Sequence, residues 1–138
     1  MPKPDCIFCK IIAGEIPSDM VYEDEFAAAF MDINPANPGH VLVCPLEHSD
    51  SFSVMPDGEN TEKLFGAVRR VAAAACQAVG HPDFNVIVNN GPLAGQVVMH
   101  THVHVIPRYA GDGNKPWPKK DVPKEEIARI AAEMRRIL

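Results

Sequence analysis

The sequence predicts an α+β fold in a single domain that spans residues 1–138. Short β-branched and apolar runs, separated by turn residues, are typical of strands in hairpin order. Two longer segments with apolar residues every three or four positions are typical of helices. Because these helical segments do not alternate regularly with the strands, we expect a mainly antiparallel sheet. The 138 residues suffice for one hydrophobic core.

The first third of the chain predicts one short helix and three strands. Apolar spacing predicts a helix over residues 6–13, which Gly14 would end. Short strands are expected at 21–23 and 26–31 around an acidic turn. Asparagine, proline and glycine then make 32–39 a loop. An apolar strand, 40–44, follows it.

The rest of the chain predicts the main helix, two further strands and a terminal helix. Residues 59–79 carry an apolar stripe with helical spacing, and Gly80 is the expected C-cap. Strands are expected at 84–89 and over the histidine-rich run 100–106. After a proline- and glycine-rich loop, a C-terminal helix is predicted for about 123–138, with acidic residues in its first turn and arginines in its last.

Three of the six histidines, namely His100, His102 and His104, follow one another at spacing two. In a strand, side chains with this spacing share one face, so the three imidazoles are expected to stand in a row. Such a row can be a hydrogen-bonded polar face, a metal site or a site of nucleophilic catalysis. Gly95 and Gln96 favour catalysis, because a glycine loop can present N–H groups to phosphate oxygens.

The four cysteines are of two kinds. Cys44 and Cys76 each stand in an apolar run and are expected in the core. Cys6 and Cys9 form a Cys-x-x-Cys pair, which indicates metal or redox chemistry. A thioredoxin-like site would need a preceding strand, which the first five residues cannot supply. Metal is therefore the better interpretation, and it needs two further ligands.

The composition excludes several classes of protein. A formal net charge of −5 and an isoelectric point near 5.6 argue against binding to polymeric nucleic acid, which needs a basic face. Small anionic ligands remain possible, since backbone N–H groups can hold a nucleotide. No apolar run is long enough to span a bilayer. The first residues lack the apolar stretch of a secretory signal, so a cytoplasmic protein is expected.

Three segments in order resemble the histidine triad (HIT) family. His100-Thr101-His102-Val103-His104-Val105-Ile106 fits its His-x-His-x-His signature, with Thr101 only half apolar. Residues 89–96 resemble its asparagine-to-glycine-glutamine phosphate loop, and residues 38–45 its Pro-x-His strand. The resemblance extends from about Cys6 to Trp117. It implies a five-stranded sheet in each subunit and a homodimer whose two sheets join into ten strands.

The resemblance implies hydrolysis of a nucleotide at its α-phosphorus. His102 would attack and form a nucleotidyl-histidine, which water then hydrolyses, and His104 would stabilise the phosphoryl oxygens. His40 and Asn89 match other active-site positions. Taken alone, His40 could equally be a surface residue at the start of a strand and Asn89 a turn cap.

The resemblance also implies a nucleotide-binding set around this centre. Asp32 and Ile33 would meet the ribose and the base, although Asp32 could simply form an Asx-turn. Gly95 and Gln96 would lie near phosphate. Val97 stands where many members carry serine or threonine, so one hydrogen bond to the phosphate or the leaving group is lost.

Two branches of the family are compatible with these residues. The 91–96 loop favours cleavage of dinucleoside polyphosphates, whereas the Cys-x-x-Cys pair and Trp117 favour cleavage of nucleoside phosphoramidates. We expect a purine nucleotide hydrolase, with phosphoramidates as first substrates. The alternatives are a non-catalytic nucleotide-binding or regulatory protein, and a metal-dependent hydrolase that uses the histidine row as ligands.

A structural zinc ion is predicted at Cys6, Cys9, His48 and His100. Tetrahedral zinc needs two ligands besides the thiolates. The strands next to His48 and His100 could bring both rings to the first helix if those two strands are neighbours in the sheet. Zinc-containing bacterial members and the related galactose-1-phosphate uridylyltransferases have the same combination. The alternative is a metal-free dithiol. No cofactor would be needed for the chemical step, and Trp117 is expected to reach the active site of the partner.

Overall fold

A five-stranded antiparallel sheet with helices on both faces forms the body of the molecule in the computed structural model, which describes residues 2–138. Met1, the first residue of the predicted domain, lies outside the described residues. The strands are β1 (Met20–Glu23), β2 (Ala27–Met31), β3 (Val41–Pro45), β4 (Phe84–Val88) and β5 (Val103–Pro107). Their order in the sheet is β1-β2-β3-β5-β4, and every neighbouring pair is antiparallel. The predicted α+β class is confirmed.

Three helices accompany the sheet: α1 (Ile7–Ile12), α2 (Glu59–Val79) and α3 (Lys124–Ile137). Gly80 ends α2 in the left-handed conformation (φ 77°), as the sequence predicts. Short 3₁₀ turns occur at Phe52–Val54 and Pro92–Ala94. In the part of the chain that the structure describes, no helix is long and apolar enough to cross a membrane.

Each face of the sheet packs against a different helix. On one face, β-branched side chains from β3 and β5 join the apolar stripe of α2 in the main core; its members include Val41, Val43, Leu64, Val68, Val71, Val103 and Val105. On the other face, α1 packs on β2 and β3 through a smaller cluster of Cys6, Phe8, Cys9, Phe30, Leu42 and Cys44. The two cysteines of the Cys-x-x-Cys pair are therefore held against the sheet.

The C-terminal helix stands apart from this body. None of the residues of α3 is buried, and Ile127, Ile130 and Met134 are 55%, 42% and 54% exposed. These side chains occupy the apolar face that the sequence predicts. An isolated helix of this length is marginal in water, so its apolar face requires a partner.

Candidate functional site

The histidine row is split by the fold. The prediction that all three histidines lie in one strand is wrong, because β5 begins only at Val103 and contains His104 alone. The neighbouring strand β3 ends at Pro45, which has no N–H for a further ladder bond, and Thr101 N–H donates instead to Ser49 O (2.8 Å). Val103 and Val105 face the main core, as the sequence predicts. His100 turns towards α1, whereas His102 and His104 remain adjacent.

His102 is held in one tautomer. Its Nδ1 lies 2.7 Å from the carbonyl oxygen of His100, and a carbonyl only accepts, so Nδ1 carries the proton and Nε2 keeps its lone pair. Burial lowers the pKa of His102, against the opposing effects of this hydrogen bond and of Asp32. The ring is therefore neutral near pH 7, which is the form in which an imidazole nitrogen attacks an electrophile.

His40 and His104 form a second, directed hydrogen-bonded pair. Ala36 N–H donates to His40 Nδ1 (2.9 Å), so the neutral ring of His40 carries its proton on Nε2. That atom lies 2.9 Å from His104 Nδ1, which must accept. His104 consequently presents Nε2–H as a donor beside His102, whose ring centroid is 5.0 Å away. Burial lowers the pKa of His104 to about 4, which keeps this ring neutral.

Asp32 lies at the edge of this group. Its Oδ2 is 3.4 Å from His40 Nε2, and its Oδ1 accepts from Asn34 N–H (2.8 Å). The Asx-turn, which was the alternative interpretation of Asp32 from the sequence, is thus present. It uses only one of the two carboxylate oxygens. Ile33 follows with 88% of its surface exposed, free to contact a ligand.

The predicted phosphate loop closes on Asn89. A Cβ atom on Gly95 would lie 3.4 Å from the Asn89 side-chain amide, and Gly95 has φ +98°. The side chain of Gln96 is buried inside the loop, where it accepts from Gly91 N–H (2.8 Å) and donates to Asp50 O (2.7 Å). Its amide is therefore engaged with the backbone of the loop and of its neighbours. Val97 is 87% exposed.

Cys6, Cys9, His48 and His100 converge on one point, and together they could hold a metal ion. His100 Nδ1 lies 3.5 Å from each sulfur, and His48 Nδ1 lies 3.3 Å from Cys9 Sγ and 3.2 Å from His100 Nδ1. A tetrahedral site with metal–sulfur and metal–nitrogen bonds of about 2.3 and 2.05 Å has edges of about 3.5 Å between S and N and about 3.3 Å between N and N. The four distances between these atoms already have this spacing, and all four atoms lie within 4.8 Å of one another.

The hydrogen bonds around the cluster select the ligand atoms. His48 Nε2 lies 2.8 Å from the Asp50 carboxylate and His100 Nε2 lies 2.9 Å from Pro45 O. Both outer nitrogens must therefore be protonated, and both Nδ1 lone pairs point inward. Two lone pairs at 3.2 Å repel each other unless a cation lies between them. Carboxylate or carbonyl support of this kind is typical of metal-bound histidines.

A second group with similar spacing consists of Asp32, His40 and His104. It differs from the cysteine and histidine cluster because an N–H group, and not a lone pair, of His40 points into it. Because Ala36 N–H occupies His40 Nδ1, His40 directs a proton into the group, and a metal ion there would have to displace it. The group is therefore a hydrogen-bonded pair with a carboxylate. Among residues 2–138, no such cluster gathers all three triad histidines, so the alternative of a histidine-row metal site is not supported.

Two contributors to the site were missed by the sequence reasoning. Phe8 packs edge-on against His102, with centroids 5.0 Å apart and rings at 85°. Asp50 links the metal cluster to Lys3, which donates to its carboxylate (2.8 Å). The sequence contains a signal for Phe8, which stands between the two cysteines, since any metal that fixes Cys6 and Cys9 also fixes Phe8. It contains no such signal for Asp50.

Comparisons with known proteins agree with this arrangement. The HIT domain family profile matches residues 13–111. A HIT-like protein of Methanocaldococcus jannaschii is 47% identical over 126 residues, covering 90% of this chain and 96% of the relative. An adenosine 5'-monophosphoramidase of Schizosaccharomyces pombe is 37% identical over 134 residues, covering 94% of this chain and 95% of the relative.

Solved structures are similar over nearly the whole chain. A HIT family protein from Bacillus subtilis has a TM-score of 0.89 with 39% identity, covering 97% of both chains. A Zn-bound histidine triad family protein from Mycobacterium smegmatis has a TM-score of 0.75 with 32% identity, covering 97% of this chain and 98% of that one.

Proposed function

This chain belongs to the HIT domain family, and on that premise we propose that it hydrolyses purine nucleotide conjugates at the α-phosphorus. The first substrates are nucleoside phosphoramidates, and dinucleoside polyphosphates come second. The similarity to an adenosine 5'-monophosphoramidase supports this order. The observation that carries the proposal is the protonated Nδ1 of His102, because its bond to His100 O leaves Nε2 as a free nucleophile.

The reaction divides into two displacements. His102 Nε2 forms a bond to the α-phosphorus while the bond from phosphorus to the leaving nitrogen or oxygen breaks, and the His102 ring becomes cationic. A leaving amine takes up a proton from solvent, and the water that attacks in the second displacement returns a proton to solvent. The carbonyl of His100 stabilises that charge through the Nδ1–H bond. Water then attacks the same phosphorus, releases the nucleoside monophosphate and restores neutral His102.

The neighbouring residues stabilise the charge that develops on phosphate. His104 Nε2–H donates to a phosphoryl oxygen, and His40 keeps His104 in the required tautomer. Asn89 and the 95–97 turn border the phosphate, while Asp32 accepts from the ribose hydroxyls and Ile33 contacts the base. Gln96 shapes the loop through its side chain and lies near the phosphate.

Zinc is the proposed metal for the cysteine and histidine cluster. Two thiolates and two imidazoles in a tetrahedral arrangement suit zinc, and a similar protein is described as Zn-bound. Its four ligands leave no open position, so the role is structural: it ties α1, and with it Phe8, to the sheet beside His102. The chemical step itself requires only the side chains described above.

A homodimer completes the proposal. Strand β4 is an edge of the sheet, with Phe84 and Val86 43% and 42% exposed, and an apolar edge favours pairing with a second copy. Such pairing would give the expected ten-stranded sheet. Trp117, which is 77% exposed, would then reach the partner's active site. A cytoplasmic location and the absence of polymeric nucleic acid partners remain expectations from the sequence.

Mass spectrometry of protein mixed rapidly with adenosine phosphoramidate tests the mechanism. A nucleoside monophosphate added to His102 supports covalent catalysis. Turnover without that adduct, lost when a chelator is added, would favour metal-activated water. Nucleotide binding without turnover of either substrate class would show a non-catalytic binding protein.

A further inference from the structure

The segment between β2 and β3, residues 32–40, carries three residues of the proposed site: Asp32, Ile33 and His40. Most of it is exposed, and only Asn37 and His40 are buried. Asn37 donates to Pro107 O at the end of β5 (2.9 Å) and to the carboxylate of Asp112 (3.0 Å). The position of the segment therefore depends on residues that follow β5.

Asp112 is the centre of this connection. Its Oδ2 accepts from Arg108 Nε (2.7 Å), Tyr109 N (3.1 Å) and Asn37 Nδ2, while its Oδ1 accepts from Arg108 Nη2 (3.0 Å) and Asn114 N (3.0 Å). The side chain is only 6% exposed. Arg108 and the other donors hold the pKa of this carboxyl well below its usual range. A carboxylate is thus present whenever the protein is folded near neutral pH.

Further contacts also connect the turn after β5 to the 32–40 segment. Tyr109 OH donates to Pro38 O (2.7 Å), and Asn114 Nδ2 lies 3.5 Å from Ala36 O. Ala36 in turn supplies the N–H that fixes His40. Arg108 also donates to Asn85 in β4 (2.8 Å), so the turn after β5 is attached to the sheet on one side and to the 32–40 segment on the other.

We propose that Asp112 is a positioning residue, which acts through Asn37 to hold the 32–40 segment in the conformation that grips the nucleoside. The role of Asp112 in nucleoside binding rests on the proposed function, whereas its role in fixing the position of the 32–40 segment does not. Asp112 has no role in bond breaking, since its oxygens are occupied by donors of the protein itself. It follows that its loss should weaken nucleotide binding more than it slows the chemical step.

Only a side chain with two hydrogen-bond-accepting oxygens, a carboxylate, fits this position. In Asp112→Asn, one oxygen becomes an NH₂ group that faces at least two of the five donors. Those hydrogen bonds are lost while the size of the side chain is kept. Asn37→Ala is the complementary variant, because it cuts the link to the segment and leaves the bonds of Asp112 to Arg108 intact. Glu133→Gln is the matched control, since it removes a carboxylate–arginine pair with Arg136 in α3.

The first measurement is amide hydrogen exchange over residues 32–40 without ligand. The N–H groups of Asp32 and His40 are bonded to His40 O and Asn37 O (both 3.1 Å), and we expect them to exchange about tenfold faster in Asp112→Asn and Asn37→Ala. Glu133→Gln should match wild type. Unchanged exchange in both variants would overturn the proposal, and the Asn37→Ala result decides if Asp112→Asn does not fold.

The second measurement is nucleotide binding and turnover. We expect the Kd for AMP and the KM for the phosphoramidate to rise about tenfold, with a smaller fall in kcat, because the 32–40 segment also carries His40, which sets the tautomer of His104. Faster exchange with an unchanged Kd would overturn the role in nucleoside binding. If wild-type protein binds neither AMP nor GMP, the proposed function fails, and the exchange data still decide whether Asp112 holds the segment.

Discussion

The Nδ1 atoms of His48 and His100 lie 3.2 Å apart, each on a ring whose other nitrogen donates to a fixed acceptor. Two sulfurs complete the tetrahedron. The arrangement could hold a metal ion, and it would then link three elements, because the four residues come from α1 and its N-cap, from the loop after β3 and from the segment before β5. The proposed nucleophile, His102, is two residues from the candidate ligand His100, and its ring contacts Phe8 between the two cysteines.

Protein purified without chelator should contain about one zinc per chain, and Cys6→Ser/Cys9→Ser should contain none. Loss of the ion removes the links between α1 and the sheet, so we expect Tm to fall by roughly 10 °C or more. Elemental analysis and thermal denaturation measure both effects. Cys76→Ser is the matched control and should keep its zinc. Zinc that survives loss of both cysteines would contradict the site.

His102→Ala should lower kcat by roughly 10⁴-fold or more, because it deletes the attacking atom and leaves the pocket in place. The Kd for AMP should change little. Steady-state turnover and equilibrium binding give the two values. Glu133→Gln is the control, since that side chain pairs with Arg136 in α3, outside the site. Retention of more than a few per cent of wild-type kcat would exclude His102 as the nucleophile.

Asp32→Asn should reduce the preference for ribonucleotides over 2'-deoxyribonucleotides. The variant keeps an oxygen for Asn34 N–H, so the turn persists while the charged acceptor for the ribose hydroxyls is lost. We expect about a tenfold loss in kcat/KM for the ribonucleotide and a smaller loss for the deoxy analogue. Asp32→Ala should lose the turn as well. An unchanged preference in Asp32→Asn would remove the ribose role.

Stability should fall as the pH is lowered from about 6.5 to about 4. Burial lowers the pKa of His104 to about 4, whereas an unfolded histidine titrates near 6.5, so within this window the unfolded chain binds a proton that the folded chain does not. The contribution is at most about 1.4 kcal/mol per pH unit, reduced by the solvent that reaches this half-buried ring.

Urea unfolding at several pH values checks this linkage. In His104→Asn the free energy of unfolding should depend less steeply on pH over that window than in wild type. The comparison separates His104 from the histidines and thiolates of the metal cluster, which are common to both proteins. Parallel curves for the two proteins would contradict the linkage.

Light scattering at micromolar concentration should give the mass of a dimer. Trp117→Ala should then lower kcat/KM for nucleotide while the dimer persists, because the residue would contact the partner's site and lies outside the sheet that joins the copies. Trp117→Phe should retain most of the activity, since it keeps an aromatic surface. A monomer at this concentration would rule out the shared sheet.

The sequence by itself determined the order of the strands and helices and the family, although it began the last strand three residues too early. Apolar spacing predicts α2 and its cap at Gly80, and the order of the histidine, asparagine-glycine and proline-histidine segments is enough to identify the HIT domain. These features are local, because each depends on residues that are close in the chain. Even the four residues that could hold a metal ion were named from the sequence, because a Cys-x-x-Cys pair needs two further ligands to complete a tetrahedral site.

Only the tertiary structure decided what each histidine does. Three imidazoles at spacing two look equivalent in the sequence. In the structure, Pro45 O fixes the Nε2–H tautomer of His100 and the carbonyl of His100 fixes the Nδ1–H tautomer of His102, while Ala36 N–H, acting through His40, fixes the Nε2–H tautomer of His104. Asp112 likewise becomes informative only when Asn37, 75 residues away, donates to it. The reason is physical: the proton on a ring nitrogen is placed by its hydrogen-bond partner, and those partners come from distant parts of the chain.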